Sequence, residues 1–411
     1  MIKKISSCRV CKRNNFQKVF DFGPTPFANE FLKKSDIDKG ELYFPLEVLL
    51  CKDCYFLTLG HVGNPKILFG NYVYVSSTSK VFIKHFEKFA NDFLNKYQFH
   101  KKPFVIDIGS NDGILLKPFL NKGIKVLGVE PAKHIAKIAR KEGINTIDKY
   151  FTQAVARQIV NKHGHADLVT ATNVFAHIDN LDEVISGIKI LLNKEGIFMI
   201  EAPYLIDFFK KNYFDLVYHE HLSYWSIHSL VKIFERFDMT VFDVEYVPVH
   251  GGTIRVYVKK NTASHKVSKI VHKMELDEKK FGLRDIKTYI NFQMKILKNK
   301  AELVGLLATL KKQGKSIAGY GAPAKGNTLL NYFGIGRDML DFIVDDSKFK
   351  QGLFTPGKRI PVVSSEYLNN NIPNYILILA WNFQKSIIDA NSHLKKKGVK
   401  FISPVPHPKV L

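Results

Sequence analysis

Residues 104–113 constrain the fold more than any other stretch of the chain, and they read FVIDIGSNDG. A short β-rich apolar run leads into an acid, a glycine and a polar turn, and a helical stretch follows. The order repeats with an apolar run at Lys125–Val129, and further runs lie at 167–172 and 196–203. Strands that alternate with helices predict a doubly wound α/β fold, with its ligand at the carboxyl ends of parallel strands.

The turn after the first strand indicates what that ligand is. Its sequence, DIGSNDG, lacks the glycine spacing of the dinucleotide fingerprint, so we expect a ligand without a pyrophosphate. Glu130 follows the second strand, where a carboxylate can accept hydrogen bonds from both ribose hydroxyls. Together these features resemble the S-adenosylmethionine site of class I (Rossmann-like) methyltransferases, and a domain for another nucleoside is the alternative. The resemblance implies these cofactor contacts: Asp107, Gly109, Asn111, Asp112, Gly113, Glu130, Pro131 and Asn173.

The four cysteines all lie near the amino terminus. Cys8 with Cys11 and Cys51 with Cys54 form two C-x-x-C pairs. Four thiolates at these spacings can close a tetrahedral zinc site, which leaves no open position for a substrate and therefore serves folding. Two disulfides or four unrelated thiols are the alternatives, and an intracellular location disfavours disulfides.

The charge of the chain permits more than one kind of partner. Lys and Arg number 61 and Asp and Glu 38, which gives +23 and can attract nucleic acid or a small anion such as a nucleotide diphosphate. The lysines are spread along the chain, so we favour a solvated surface and expect no nucleic-acid partner. No apolar run approaches the roughly 18 residues of a membrane span, and no secretory signal is visible. We expect a cytoplasmic protein without a membrane partner.

Residues 219–226 read HEHLSYWS and hold the residue types that move protons. Histidines two apart can also bind a metal on an extended strand, or the segment can be an ordinary loop. The spacing is not H-E-x-x-H and no third ligand cluster is evident, so we favour a catalytic role.

The last third of the chain predicts a second Rossmann-like sheet. Residues 265–313 are helical by pattern, and KSIAGYGAPAKGNTLLNYF then reads as strand, glycine-rich turn and helix. The segment GYGAPAKG resembles a phosphate-cradling loop, although its glycines can simply permit a tight turn. We therefore expect a zinc-binding module over 1–75, a methyltransferase core over 76–245 and a Rossmann-like domain over 246–411.

The order of these motifs along the whole chain resembles that of the sugar-nucleotide C-methyltransferases of deoxysugar biosynthesis. The resemblance rests on the double C-x-x-C module, DIGSNDGILLK, YHEHLSY and GYGAPAKGNTLLN, in that order. It implies methyl transfer from S-adenosylmethionine to carbon 3 of a nucleotide-linked 4-keto-6-deoxyhexose. It also implies that the C-terminal domain closes over this nucleotide-diphosphate sugar.

The resemblance assigns roles within the catalytic segment. Tyr218, Glu220 and His221 match the family's Y-x-E-H pattern. His221 is then the base that removes the carbon-3 proton, Glu220 orients or charge-balances the site, and Tyr218 donates a hydrogen bond near the keto oxygen. His177 matches a second active-site histidine of the family, or is a surface histidine at the start of a helix.

The remaining assignments concern the substrate. The family has an active-site tyrosine in the region of NYVYVSSTS, and we favour Tyr74 as the catalytic one over Tyr72, although both can be packing residues. We expect substrate contacts from Tyr72, Tyr224, Lys325 and Asn327. Rival functions are O- or N-methylation, a zinc-ribbon nucleic-acid binder, and an NAD-dependent sugar oxidoreductase. We expect a monomer or a homodimer.

Overall fold

The computed structural model describes residues 2–70, 75–78, 80–97, 99, 101–247 and 251–411. The strands of these residues form three main sheets and one two-stranded ribbon. One cluster of buried apolar side chains passes through all three main units, from Val10 through Ile200 to Leu377. The three units therefore share a continuous core.

The first unit is an antiparallel sheet built around the cysteine pairs. Its elements are β1 (Ile2–Lys4), β2 (Phe16–Thr25), β3 (Phe44–Cys51), β4 (Leu57–Leu59), β5 (His61–Gly63) and α1 (Pro65–Gly70). Strands β2, β3 and β4 pair in sequence order, while β1 pairs with β5. Alternate residues of β3 are buried, as expected for a sheet with one face on a core. Residues Ser223–Tyr224, from much later in the chain, pair with the free edge of β4.

The second unit is a seven-stranded sheet with helices on both faces. Its strands are β6 (Phe104–Ile108), β7 (Lys125–Val129), β8 (Thr146–Ile147), β9 (Ala166–Thr172), β10 (Leu192–Pro203), β12 (Met239–Val247) and β13 (Thr253–Lys260), with β11 (Ser223–Tyr224) contributed to the first unit. Its helices are α2 (Lys80–Lys96), α3 (Leu116–Leu120), α4 (Lys133–Lys141), α5 (Gln153–His163), α6 (Leu181–Leu191), α7 (Leu205–Lys210) and α8 (Ile227–Glu235).

The strand order of this sheet identifies the fold. The order is β8-β7-β6-β9-β10-β13-β12, and β13 runs antiparallel to β10 while β6 to β10 are parallel. This is the order of the class I S-adenosylmethionine-dependent methyltransferases, so the predicted core fold is confirmed. All five residues of β6 are buried because helices cover both faces of the sheet. Strand β13 lies beyond the predicted boundary at residue 245, yet it pairs on both sides within this sheet.

The third unit begins with two helices and ends in a second parallel sheet. Its elements are α9 (Lys269–Phe281), α10 (Ile286–Lys312), β14 (Ile317–Tyr320), α11 (Ala324–Phe333), β15 (Ile343–Val344), β16 (Val362–Val363), β17 (Tyr375–Ile378), α12 (Gln384–Ala390), α13 (Ser392–Lys396), β18 (Lys400–Ser403) and β19 (Lys409–Val410). The strand order is β16-β15-β14-β17-β18-β19, parallel except for β19. The second Rossmann-like sheet is therefore present. Gly282 ends α9 in the left-handed conformation that glycine tolerates best.

Within the part of the chain that the structure describes, no helix combines the length and the apolar character that crossing a membrane would require.

Candidate active site

The turn after β6 has a backbone that only glycine fits. Gly109 has a φ of +68°, and a Cβ added there would lie 2.4 Å from Cγ2 of Val174. Its amide donates to the Val129 carbonyl at 2.8 Å, which ties the turn to β7. Asp107, the last acid of the strand, accepts a 2.6 Å hydrogen bond from the Thr170 hydroxyl, and burial raises the pKa of Asp107 to about 7. The turn is therefore held open at the carboxyl ends of the central strands.

Glu130 joins the turns that follow the first two strands of the core. One carboxylate oxygen accepts from the Asn111 amide at 3.0 Å, and the other accepts from the Ala132 amide at 2.8 Å. Burial raises the pKa of Glu130, and these two hydrogen bonds oppose that rise. A carboxylate offers about four lone-pair positions, so Glu130 retains acceptor capacity for ribose hydroxyls. Pro131 follows it, half-buried.

The segment that precedes α2 lies over the same turn. The Asn111 side-chain oxygen accepts from the Ser76 amide and the Asp112 carboxylate accepts from the Ser77 amide, each at 3.0 Å. Among the described residues, the other Asp112 oxygen is buried without a hydrogen-bond partner, as is the Ser110 hydroxyl. Unsatisfied buried polar atoms are uncommon and indicate a missing polar partner. The turn therefore fits S-adenosylmethionine.

Gly113 completes the turn at a φ of +84°, where a Cβ would lie 2.2 Å from Cδ1 of Ile144. On the other side of β6, Asn173 also has a positive φ, of 55°, and its amide donates to the Glu201 carbonyl at 2.8 Å. The predicted cofactor residues thus come together at the carboxyl ends of β6, β7 and β9.

The four cysteines converge on one point. Their sulfur atoms all lie within 4.8 Å of one another, with Cys8 to Cys54 at 3.6 Å and Cys11 to Cys51 at 3.5 Å. Zinc–sulfur bonds of about 2.3 Å in a tetrahedron place sulfur atoms about 3.8 Å apart, so the cluster fits a Cys₄ zinc site. Three of the four residues are buried, which suits a structural ion.

His221 and Tyr218 form one hydrogen-bonded pair. His221 Nδ1 lies 2.9 Å from the Leu216 carbonyl oxygen, which can only accept, so Nδ1 carries the proton of the neutral ring. The Nε2 atom therefore holds a lone pair, and the Tyr218 hydroxyl donates to it at 2.6 Å. Both residues are half-buried in the loop between α7 and β11. The pair combines a nitrogen base with a phenolic donor.

His177 lies against His221. The two ring centroids are 4.9 Å apart and the rings meet edge to face. His177 ends the short 3₁₀ turn that follows β9. Burial lowers the pKa of His177 to about 4, so this ring is neutral near pH 7. The two predicted histidines are therefore neighbours.

Glu220 is buried between the three units. Its carboxylate accepts a 2.6 Å hydrogen bond from the Asn29 amide nitrogen, which comes from the first unit. Lys350, from the third unit, is near enough for its charge to lower the Glu220 pKa, while burial raises that pKa to about 7. Neither Asn29 nor Lys350 is predicted from the sequence. No local signal marks them, since Asn29 lies 191 residues from its partner.

His219 and Tyr224, from the same HEHLSYWS segment, are buried. His219 Nε2 lies 3.3 Å from the carbonyl oxygens of Phe44 and Pro45, which anchors the loop on β3. Tyr224 lies in β11 and helps to line a small cavity beside His221, together with Pro203 and others. Its hydroxyl is buried and has no hydrogen-bond partner among the described residues. Tyr224 is thus buried beside His221.

The predicted C-terminal contacts lie at the start of α11. Lys325 Nζ donates to Asn382 Oδ1 at 2.5 Å and sits 3.5 Å from the centre of the Trp381 ring. The Trp381 indole donates at 2.5 Å to the fully buried Asp215 of the core. Burial lowers the Lys325 pKa to about 7, and Asp215 opposes the shift. Lys325 therefore lies at the junction of the second and third units.

Asn327 and the turn before α11 are occupied by protein groups. The Asn327 amide nitrogen donates to the Ala28 carbonyl at 2.7 Å. The Ala322 amide, at the position where a phosphate-binding loop would offer its N–H, donates to Asp345 at 2.6 Å. A phosphate at that amide would have to displace a carboxylate. Gly321 adopts a φ of +82°, as the tight-turn alternative requires.

The two tyrosines predicted near the active site, Tyr72 and Tyr74, lie outside the described residues.

Comparison with known proteins covers the entire chain. Three family models match in succession: "Putative zinc binding domain" at 8–69, "Methyltransferase domain" at 82–244 and "C-methyltransferase C-terminal domain" at 248–406. The chain is 38% identical over 411 residues to C-methyltransferase NovU of Streptomyces niveus. The match covers 100% of this chain and 98% of that protein.

Two solved methyltransferase structures each match less than half of this chain. Magnesium protoporphyrin IX methyltransferase from Synechocystis PCC 6803 with bound SAM is 11% identical with a TM-score of 0.33, over 44% of this chain and 80% of that chain. A SAM-dependent methyltransferase from Anabaena variabilis ATCC 29413 is 21% identical with a TM-score of 0.32, over 42% and 83%.

Proposed function

Since this chain belongs to the family of S-adenosylmethionine-dependent C-methyltransferases, we propose that it methylates carbon 3 of a nucleotide-linked 4-keto-6-deoxyhexose. The observation that carries the proposal is the 2.6 Å contact between the Tyr218 hydroxyl and His221 Nε2. A carbon next to a ketone loses its proton only if a base takes it while a donor stabilises the oxygen. The pair supplies both groups side by side.

The spacing of the two groups suits a ketone. Standard bond lengths put a carbonyl oxygen and the adjacent carbon about 2.4 Å apart. The Tyr218 oxygen and the His221 Nε2 atom are separated by nearly the same distance. In this proposal Tyr218 turns its hydroxyl from the histidine to the keto oxygen when the acceptor binds. His221 Nε2 then faces the proton on the neighbouring carbon.

The surroundings of His221 keep the correct nitrogen basic. The Leu216 carbonyl holds the proton on Nδ1, so Nε2 is the acceptor before the reaction begins. Once Nε2 has taken the carbon-bound proton, the ring is a cation. An ionised Glu220, the preceding residue, stabilises that cation in the proposed mechanism.

The turn at Asp107–Gly113 and the Glu130 carboxylate would hold S-adenosylmethionine. When bound, this cofactor supplies an electrophilic methyl group on sulfur, already activated for attack by a carbon nucleophile. Asn173 and His177 follow β9, and His177 lies against His221. In the proposal Asn173 contacts the cofactor and His177 orients the acceptor.

We extend the proposal to the domains. The module over 1–75 binds the zinc ion, the core from residue 76 through β13 binds the methyl donor, and the part that begins with α9 encloses the nucleotide. Lys325 and Asn327 stay proposed contacts to the diphosphate or sugar. Lys325 is the stronger of the two, because it is half-buried and its bond to Asn382 uses one of three N–H donors, whereas Asn327 is fully buried and donates to Ala28.

The experiment that tests the function uses the purified protein with S-adenosylmethionine and a panel of 4-keto-6-deoxy nucleotide sugars in deuterated water. Mass spectrometry and carbon NMR follow methyl gain and solvent exchange at carbon 3. We expect a new carbon–carbon bond and exchange at that carbon. The substitution His221→Asn should abolish both, because the amide is no base, while S-adenosylmethionine still binds.

A matched control is His393→Asn, which changes a histidine on α13 of the third unit, far along the chain from this loop. It should leave both rates unchanged. A methyl group found on oxygen or nitrogen would reject the carbon acceptor and support O- or N-methylation instead. Exchange that persists in His221→Asn would assign the base to another residue.

A further inference from the structure

One segment of the first unit passes between the other two units. We name residues 26–32, PFANEFL, the strap. The third unit holds it twice: Asn327 donates to the Ala28 carbonyl at 2.7 Å, and Leu32 pairs with Phe354 through two backbone hydrogen bonds of 2.9 Å. Between these two contacts lies Asn29, whose side chain leaves the strap in the direction of the core. The strap is therefore anchored on both sides of Asn29.

We infer that Asn29 is a positioning residue for the methyl transfer, acting by holding the Glu220 carboxylate in place and ionised. The inference rests on the proposed function. The Asn29 amide donates to Glu220 Oε1 at 2.6 Å, and Glu220 is 3% exposed. Because a neutral amide N–H group can only donate to it, this oxygen is fixed as an acceptor. A protonated Glu220 would have to carry its hydrogen on the other oxygen.

The charges around Glu220 give this hydrogen bond its importance. Lys350 faces the carboxylate from the third unit, but its Nζ also donates to the Ala322 carbonyl at 2.8 Å and lies near Asp345. His219 and His221 are its neighbours in the chain, and the His177 ring lies against the His221 ring. Burial raises the Glu220 pKa to about 7, with Asn29 and then Lys350 opposing the rise. Asn29 is thus the larger of the two influences that favour the carboxylate near neutral pH.

The sign of the expected pH effect follows. Loss of the Asn29 donor raises the Glu220 pKa further, so the carboxylate forms only at a higher pH. In the proposed mechanism, an ionised Glu220 offsets the charge of protonated His221. The acidic limb of the activity profile should therefore move upward in pH without Asn29.

The test compares wild type, Asn29→Leu and Asn29→Asp, which nearly keeps the shape of the side chain. Infrared titration of protein labelled with ¹³C at glutamate carboxyls follows Glu220 directly, and Glu220→Gln identifies its band. We expect its midpoint to rise from about 7, and methyl transfer at pH 7 to fall about tenfold and recover near pH 9. The control is Gln17→Leu, which removes an exposed side-chain amide from β2 in the same unit. It should change neither the Glu220 midpoint nor the rate of methyl transfer.

Zinc content and S-adenosylmethionine affinity show whether each variant is folded. In folded variants, an unmoved Glu220 midpoint in both would overturn the inference. So would an activity loss of equal size at every pH, since that is what a purely structural role produces. If the midpoint moves but the wild type methylates no 4-keto sugar, the positioning of Glu220 stands and the proposed substrate is rejected.

Discussion

At the scale of single residues, the Tyr218 hydroxyl is the group whose removal is most informative. Tyr218→Phe leaves His221 in place but deletes the donor that we assign to the keto oxygen. Loss of one such donor typically slows a reaction by about 10²–10³-fold. We therefore expect deuterium exchange at carbon 3, measured with S-adenosylhomocysteine in place of the methyl donor, to slow by that factor.

The matched control for this change is Tyr367→Phe, which removes a hydroxyl from an exposed tyrosine of the third unit. Exchange should be unaffected there. An exchange rate in Tyr218→Phe equal to that of wild type would remove Tyr218 from the proton-transfer step and leave it as a support for the His221 ring.

The same scale shows which residues a sequence can indicate. Tyr218, Glu220 and His221 lie within four positions and carry reactive groups, so the sequence alone indicates this segment. Asn29 has no such signature, because its role depends on a partner 191 residues away. The place of Asn327 beside a glycine-rich turn predicts a substrate contact, whereas its amide nitrogen donates to the Ala28 carbonyl.

At the scale of elements, the regular strands follow from the sequence and the short ones do not. The strand predicted at Lys125–Val129 has those bounds, since four apolar or small residues after a lysine suffice to indicate it. The pairing of β4 with β11 joins strands of three and two residues from distant parts of the chain. Strands so short carry no periodicity, so their pairing depends wholly on tertiary contacts.

Another long-range contact ties the cysteine cluster to the His177 turn. Arg9, which follows Cys8, is almost fully buried, and its Nε donates to Asp179 Oδ1 at 3.0 Å. Asp179 lies two residues after His177 and is 42% exposed, so solvent screens part of the pair. Asp179→Asn leaves a buried guanidinium without its counter-charge. We expect a loss of about 1 kcal/mol, seen as a melting temperature lower by roughly 2 °C.

Asp182→Asn serves as the comparison for this change. Asp182 also pairs with cations of both units, Lys12 and Arg236, but all three side chains are about a third or more exposed. Its loss should lower the melting temperature by less than that of Asp179. Equal effects of the two substitutions would mean that burial of Arg9 adds nothing to the contact.

At the scale of the whole molecule, the core alone forms the methyl-donor site, whereas the zinc module supports the loop that carries His221. The donor turn is built from the core alone, through Gly109, Glu130 and the segment before α2. The loop that carries His221 is different, because β4 pairs with β11 just after His221 and β3 carbonyls hold His219. Folding of the first unit is therefore a condition for the geometry of His221.

Removal of zinc tests this division. Because structural zinc sites contribute folding energy directly, chelation should destabilise the first unit and the His221 loop that packs against it. In hydrogen-exchange mass spectrometry, we expect faster exchange at 8–12, 51–59 and 219–224, with β6 still protected. Methyl transfer should be lost, while S-adenosylmethionine affinity stays within about twofold, as for independent sites.

Added Zn²⁺ should restore the protection pattern. Donor binding that is lost in step with zinc would mean that the cofactor turn, too, depends on the first unit.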